Sequence, residues 1–110
     1  MTNILEKIIK QKKEDLKIVK KNNSLKAIED KIKSIDNFLD FKTTIINNQK
    51  QKKVSLIAEI KKASPSAGVI VENFDHIKIA DLYSNNNATC LSVLTEEKFF
   101  LGSLNYISEI

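Results

Sequence analysis

Two opposite charges stand two residues apart at the end of an apolar run: Glu59 and Lys61, in the segment Leu56-Ile57-Ala58-Glu59-Ile60-Lys61-Lys62-Ala63-Ser64-Pro65-Ser66-Ala67-Gly68. A strand covered on both faces reads as an unbroken hydrophobic stretch, so a carboxylate and an ammonium at its carboxyl end need a reason to be there. On a strand, a spacing of two puts both side chains on one face and sends Ile60 to the other. Held side by side at the mouth of a parallel sheet, such a pair can bind a charged substrate or move protons. It can equally be a structural ion pair at a strand end, because ion-pair networks also occur where there is no chemistry.

The elements that must position this pair are legible on either side of it. Residues 54–60 read as a first strand. After the small-residue loop, Asp75 can cap a helix carrying Ile77, Ile79, Ala80, Leu82 and Tyr83, with His76 as a surface residue in its first turn. Asn85, Asn86 and Asn87 break that helix, since Asn tolerates the left-handed cap geometry. Residues 88–94 then read as a second strand, and strand, helix and strand in succession predict a right-handed parallel unit. A last helix starts at Ser103. Upstream, Thr2 can cap a helix whose apolar positions Ile4, Leu5, Ile8, Ile9, Leu16 and Val19 form one stripe. Ser24 can cap a second, and a third spans about 37–46, with the polar run 47–53 as linker.

Composition bounds the partners. The 110 residues are 42% hydrophobic and 29% charged, as expected of a globular rather than a disordered chain. Residues 1–53 hold fourteen lysines against seven acids, whereas residues 54–110 hold four against seven. All 18 basic residues are lysine, so the bidentate arginine contacts that read phosphates and bases are absent and no nucleic-acid partner is expected. No apolar run approaches a membrane span and no apolar signal core follows Met1, so no membrane partner and a cytoplasmic location are expected. The single Cys90, among apolar residues on the second strand, reads as a buried, inert thiol. One histidine and no ligand cluster predict no metal site, and no Gly-rich dinucleotide loop is present.

The segment IAEIKKASPSAGV, residues 57–69, resembles the first barrel strand and loop of the indole-3-glycerol-phosphate synthase family. The segment CLSVLTEEKFFLGS, residues 90–103, is similar to that family's second strand and loop, in order and at the spacing of one βα unit. The resemblance implies an α/β fold: the N-terminal part of a (β/α)8 TIM barrel, about two βα units over residues 54–110, preceded by a helical extension over residues 1–53. A full barrel takes roughly 200 residues or more, so the remaining barrel units are expected from a longer chain.

The same resemblance implies a carbon-carbon lyase, a carboxy-lyase of tryptophan biosynthesis. It converts 1-(2-carboxyphenylamino)-1-deoxyribulose 5-phosphate into indole-3-glycerol phosphate, carbon dioxide and water, with no cofactor. Lys61 matches a lysine that contacts the anionic substrate and donates a proton, and Glu59 a glutamate that positions it and serves as base in the dehydration. Ser64 and Ser66 match a mobile first loop whose hydroxyls meet the substrate, and Leu94 and Phe100 match the wall of its aromatic pocket. A second catalytic lysine, a glutamate base and the phosphate site are implied on later strands, so the 110 residues alone are expected to be inactive. A non-catalytic barrel fragment or interaction module is the alternative. Another phosphate-binding barrel of the same pathway is disfavoured by the Glu59/Lys61 pair followed by Ser-Pro-Ser and the Phe99-Phe100 loop.

Overall fold

The computed structural model describes residues 3–110, which divide into two compact units with the break between Leu39 and Asp40. The first unit holds two helices, α1 (Ile4–Asn22) and α2 (Leu25–Lys33). Helix α1 starts at Asn3, whose side chain accepts the Glu6 N–H at 2.8 Å; Thr2, expected as the cap, lies outside the described residues. Lys20 and Lys21 in the last turn complement the carboxyl end of the helix dipole. Helix α2 is capped as predicted, by Ser24 accepting the Ala27 N–H at 3.1 Å. Neither helix buries a residue, and Ile4, Leu5, Ile9, Leu16 and Val19 of the α1 stripe all remain exposed.

The second unit opens with α3 (Phe41–Lys50), later than the predicted 37–46. Asp40 decides the start. Its Oδ1 accepts the Thr43 N–H at 2.9 Å, one of the orphan donors of the first turn, and its Oδ2 accepts the Thr43 hydroxyl at 2.8 Å. Those bonds also hold the Asp40 carboxyl below its ordinary range. The predicted linker supplies the last helical turn, and Lys52 ends it with φ 55°.

Strand β1 (Ile57–Ile60) pairs in parallel with β4 (Cys90–Val93), aligning Ile57 with Cys90 and Glu59 with Ser92. Both strands are shorter than predicted, with four paired positions each, although bonds to Leu56 and from Leu94 extend the contact at either end. Helix α4 (His76–Asn85) connects them, capped by Asp75 through the Lys78 N–H at 3.0 Å and closed by Asn87 at φ 64°, both as the sequence predicts. One face of β1 is covered: Ala58 and Ile60 are buried, as are Ala63, beyond the end of the strand, and Ala80 of α4. The Tyr83 hydroxyl donates to the Glu59 carbonyl at 2.9 Å, fastening helix to strand. Cys90 is half-buried rather than buried.

Two features escaped the sequence. The small-residue loop contains an antiparallel hairpin, β2 (Ala63–Ser64) with β3 (Gly68–Val69), turned by Gly68 at φ 66°. His76 is half-buried rather than fully exposed: its ring stacks on Tyr106 of α5 (Asn105–Glu109) with centroids 4.2 Å apart, the His76 Nε2 meets the Glu109 carboxylate, and Phe74 lies 5.7 Å from Tyr106. Among the described residues, no helix is long and apolar enough to cross a membrane.

Candidate active site

The alternation along β1 decides which side chains can meet a ligand. Ala58 and Ile60 turn toward α4, and Ile60 is only 1% exposed; Ile57 and Glu59 therefore occupy the opposite, open face. Lys61, the next residue of that parity, brings its Nζ to 2.9 Å from Glu59 Oε1. The predicted pair is thus formed. The structure adds a third member, because the parallel register sets Ser92 opposite Glu59 and its hydroxyl donates to Glu59 Oε2 at 3.2 Å.

These bonds set the charge state of the site. The hydrogen bond from Lys61 holds the Glu59 carboxyl below its ordinary value of 4.5, helped by the Ser92 hydroxyl and the Lys61 charge and opposed by partial burial. Glu59 is consequently an anion at neutral pH that clamps the ammonium in place; a carboxyl so stabilised is a weak base. A pKa lowered by folding contributes stability that is full above the unfolded value and lost as pH falls through the folded one. The stability gap between the parent chain and Glu59→Gln is therefore expected to be larger at pH 7 than at about pH 3, while staying within about 1 kcal/mol because the pair is open to solvent. Urea denaturation at both values checks this, and a gap independent of pH would contradict it.

Ser64 and Ser66 are brought together on the hairpin that follows. Ser64 Oγ accepts the Ala67 N–H at 3.2 Å and lies 3.4 Å from Ser66 Oγ, and both hydroxyls keep hydrogen-bonding capacity beyond these contacts. Leu94 continues the ladder past β4, its N–H donating to the Ile60 carbonyl at 3.1 Å. The loop after β4 therefore leaves from the same end of the sheet as the Glu59–Lys61 pair. Phe99 and Phe100 are both half-buried in that loop. Gly102 closes it: its N–H donates to the Glu96 carbonyl at 2.7 Å, and a Cβ there would lie 2.1 Å from the Leu94 carbonyl oxygen.

That contact makes a ranking of two glycine substitutions possible. A Cβ on Gly68 meets nothing within 4 Å, so Gly68→Ala carries only the left-handed backbone cost of about 1–2 kcal/mol. Gly102→Ala must displace backbone, and overpacking of that kind costs about 1–3 kcal/mol or more. Gly102→Ala is expected to be the more destabilising in urea denaturation, and the reverse order would show the loop to be pliant.

Sequence reasoning did not single out Ser92, Tyr83 or Glu96. Ser92 was available from the parallel alignment of the two strands, but Tyr83 and Glu96 bond to backbone, which carries no residue-type signal.

Parallel strands joined by a helix, with a carboxylate and an ammonium at the carboxyl end of the first, define a mixed α/β protein with a small parallel sheet. The family model for indole-3-glycerol phosphate synthase matches residues 5–110, and the chain belongs to that family. It is 46% identical over 107 residues to an indole-3-glycerol phosphate synthase of Desulforamulus reducens, covering 97% of this chain and 39% of the relative. Identity to the synthase of Campylobacter jejuni subsp. jejuni is 47% over 110 residues, covering 97% and 41%. For Trichodesmium erythraeum it is 43% over 108 residues, covering 98% and 36%. The chain thus spans about two fifths of the length of these curated relatives.

Proposed function

We propose that residues 54–110 are the first two βα units of a (β/α)8 barrel, preceded by a helical extension over residues 1–53, and that they serve an indole-3-glycerol phosphate synthase of tryptophan biosynthesis. The observation that carries this reading is the 2.9 Å Glu59–Lys61 pair at the carboxyl end of β1 in a chain of that family. The substrate is a phosphorylated, carboxylated aryl-amine sugar, 1-(2-carboxyphenylamino)-1-deoxyribulose 5-phosphate, and the setting is cytoplasmic.

The reaction makes a bond between the aryl carbon that bears the carboxylate and the ketone carbon. Lys61 donates a proton to the ketone oxygen as that bond forms, so that no free alkoxide develops. The carboxylate leaves as carbon dioxide, its bonding electrons returning to the ring. Loss of the new hydroxyl as water, with removal of a proton from the adjacent CH2 carbon that links it to the nitrogen, forms the last ring double bond and completes the indole. Glu59 holds Lys61 on target, and its lowered pKa favours this over the base role that the resemblance also implies. Ser64 and Ser66 contact the substrate from the hairpin, and Leu94 and Phe100 pack against its aryl ring.

The test is a direct assay of indole-3-glycerol phosphate formation. The protein is this chain continued by the remaining length of the Desulforamulus reducens relative, assayed beside the 110 residues alone. Turnover by the extended protein and none by the shorter one is the expected result. An extended protein that folds but neither binds nor converts the substrate would overturn the proposal.

A further inference from the structure

The loop after β4 is organised around one carboxylate. The Lys98 N–H donates to Glu96 Oε1 at 3.0 Å, and the Phe99 and Phe100 N–H groups donate to Oε2 at 2.7 and 3.0 Å. Three consecutive backbone donors converge on a single side chain, and the Glu96 carbonyl accepts the Gly102 N–H at 2.7 Å as the loop returns. Leu101, between them, takes φ 52°, a left-handed conformation that a leucine avoids unless its surroundings impose it. Hydrogen bonds from backbone N–H to a carboxylate are stronger than neutral ones, so this side chain dictates the path of residues 98–100. Glu97, next to it, is exposed and enters none of these bonds.

We infer that Glu96 is a positioning residue for the aryl end of the substrate: its carboxylate fixes the backbone that carries Phe100 and so holds the apolar wall in place before the substrate arrives. The inference rests on the reading of Phe100 given under the proposed function. A wall already in place needs no ordering on binding, so its loss appears as weaker binding of substrate and transition state alike.

Two measurements test this. In the 110-residue chain, hydrogen exchange of the Phe99 and Phe100 amides is expected to quicken at least tenfold in Glu96→Ala and less in Glu96→Gln, with β1 amides and the Glu97→Gln control unchanged. In the extended protein, Glu96→Ala is expected to raise KM about tenfold with kcat within about threefold, as for the loss of an apolar contact. Phe100→Ala should do the same, and the double variant should be no worse than either single one. If Phe100→Ala raises KM while Glu96→Ala changes neither KM nor amide exchange, the inference is overturned and the pocket reading stands. If Phe100→Ala leaves KM unchanged, the pocket reading falls and the inference falls with it. A double variant whose effects simply multiply would also overturn the positioning role, by showing that the two residues act independently.

Discussion

Lys61→Ala, placed in the extended protein, is expected to lower turnover about a hundredfold while changing stability by less than about 1 kcal/mol. The two magnitudes come from different physics. Lys61 ends at the solvent-open face of β1, where its ion pair with Glu59 is only partly desolvated, and such pairs contribute little to folding. In the proposed reaction it would face charge developing on the ketone oxygen, and removing one preorganised contact of that kind costs on the order of 3 kcal/mol, or about two powers of ten in rate. The variant also removes the main cause of the lowered Glu59 pKa, so carboxyl titration by NMR should show that value rising. Near-normal turnover would remove Lys61 from the reaction and leave it a strand-end ion pair.

The 110 residues alone are expected to form no indole-3-glycerol phosphate above background. Their charged site is the Glu59–Lys61–Ser92 group on a two-stranded sheet. That group can supply a proton and hold an anion. The proposed reaction also needs the groups that the family resemblance assigns to later strands, including the phosphate site. Without a phosphate anchor the aryl carbon and the ketone are not held in reactive geometry, and orientation alone is worth about 7–11 kcal/mol in favourable cases. Residues that act as a unit are strongly non-additive, so part of a constellation does not retain a proportionate part of the rate. Product formation by the 110 residues, abolished by Lys61→Ala, would prove this wrong and would place a complete site within two strands.

Much of the candidate site was legible because it depends on local geometry. The period of a strand puts Glu59 and Lys61 on one face and Ile60 on the other whatever they pack against, and the structure keeps that arrangement. Caps are local too: Ser24 and Asp75 bond to donors three residues on, and Asn87 takes the left-handed conformation its short polar side chain tolerates. The start of α3 was missed although Asp40 is the same kind of signal, because apolar Phe38 and Leu39 drew the predicted helix upstream of its cap.

Other features needed the chain to meet itself. Ser92 reaches Glu59 across 33 residues only because the ladder aligns those two positions; a shift of one would turn Ser92 to the other face. His76 is half-covered by Tyr106 and Glu109 through the approach of α5 to α4, which nothing near His76 announces. The role of Glu96 depends on loop dihedrals that turn three N–H groups toward one carboxylate, and backbone donors look the same in every residue. Residue type and spacing determine which groups are available and which face of an element they occupy. Register, helix approach and loop path decide which of them meet, because those depend on contacts between residues far apart in the chain.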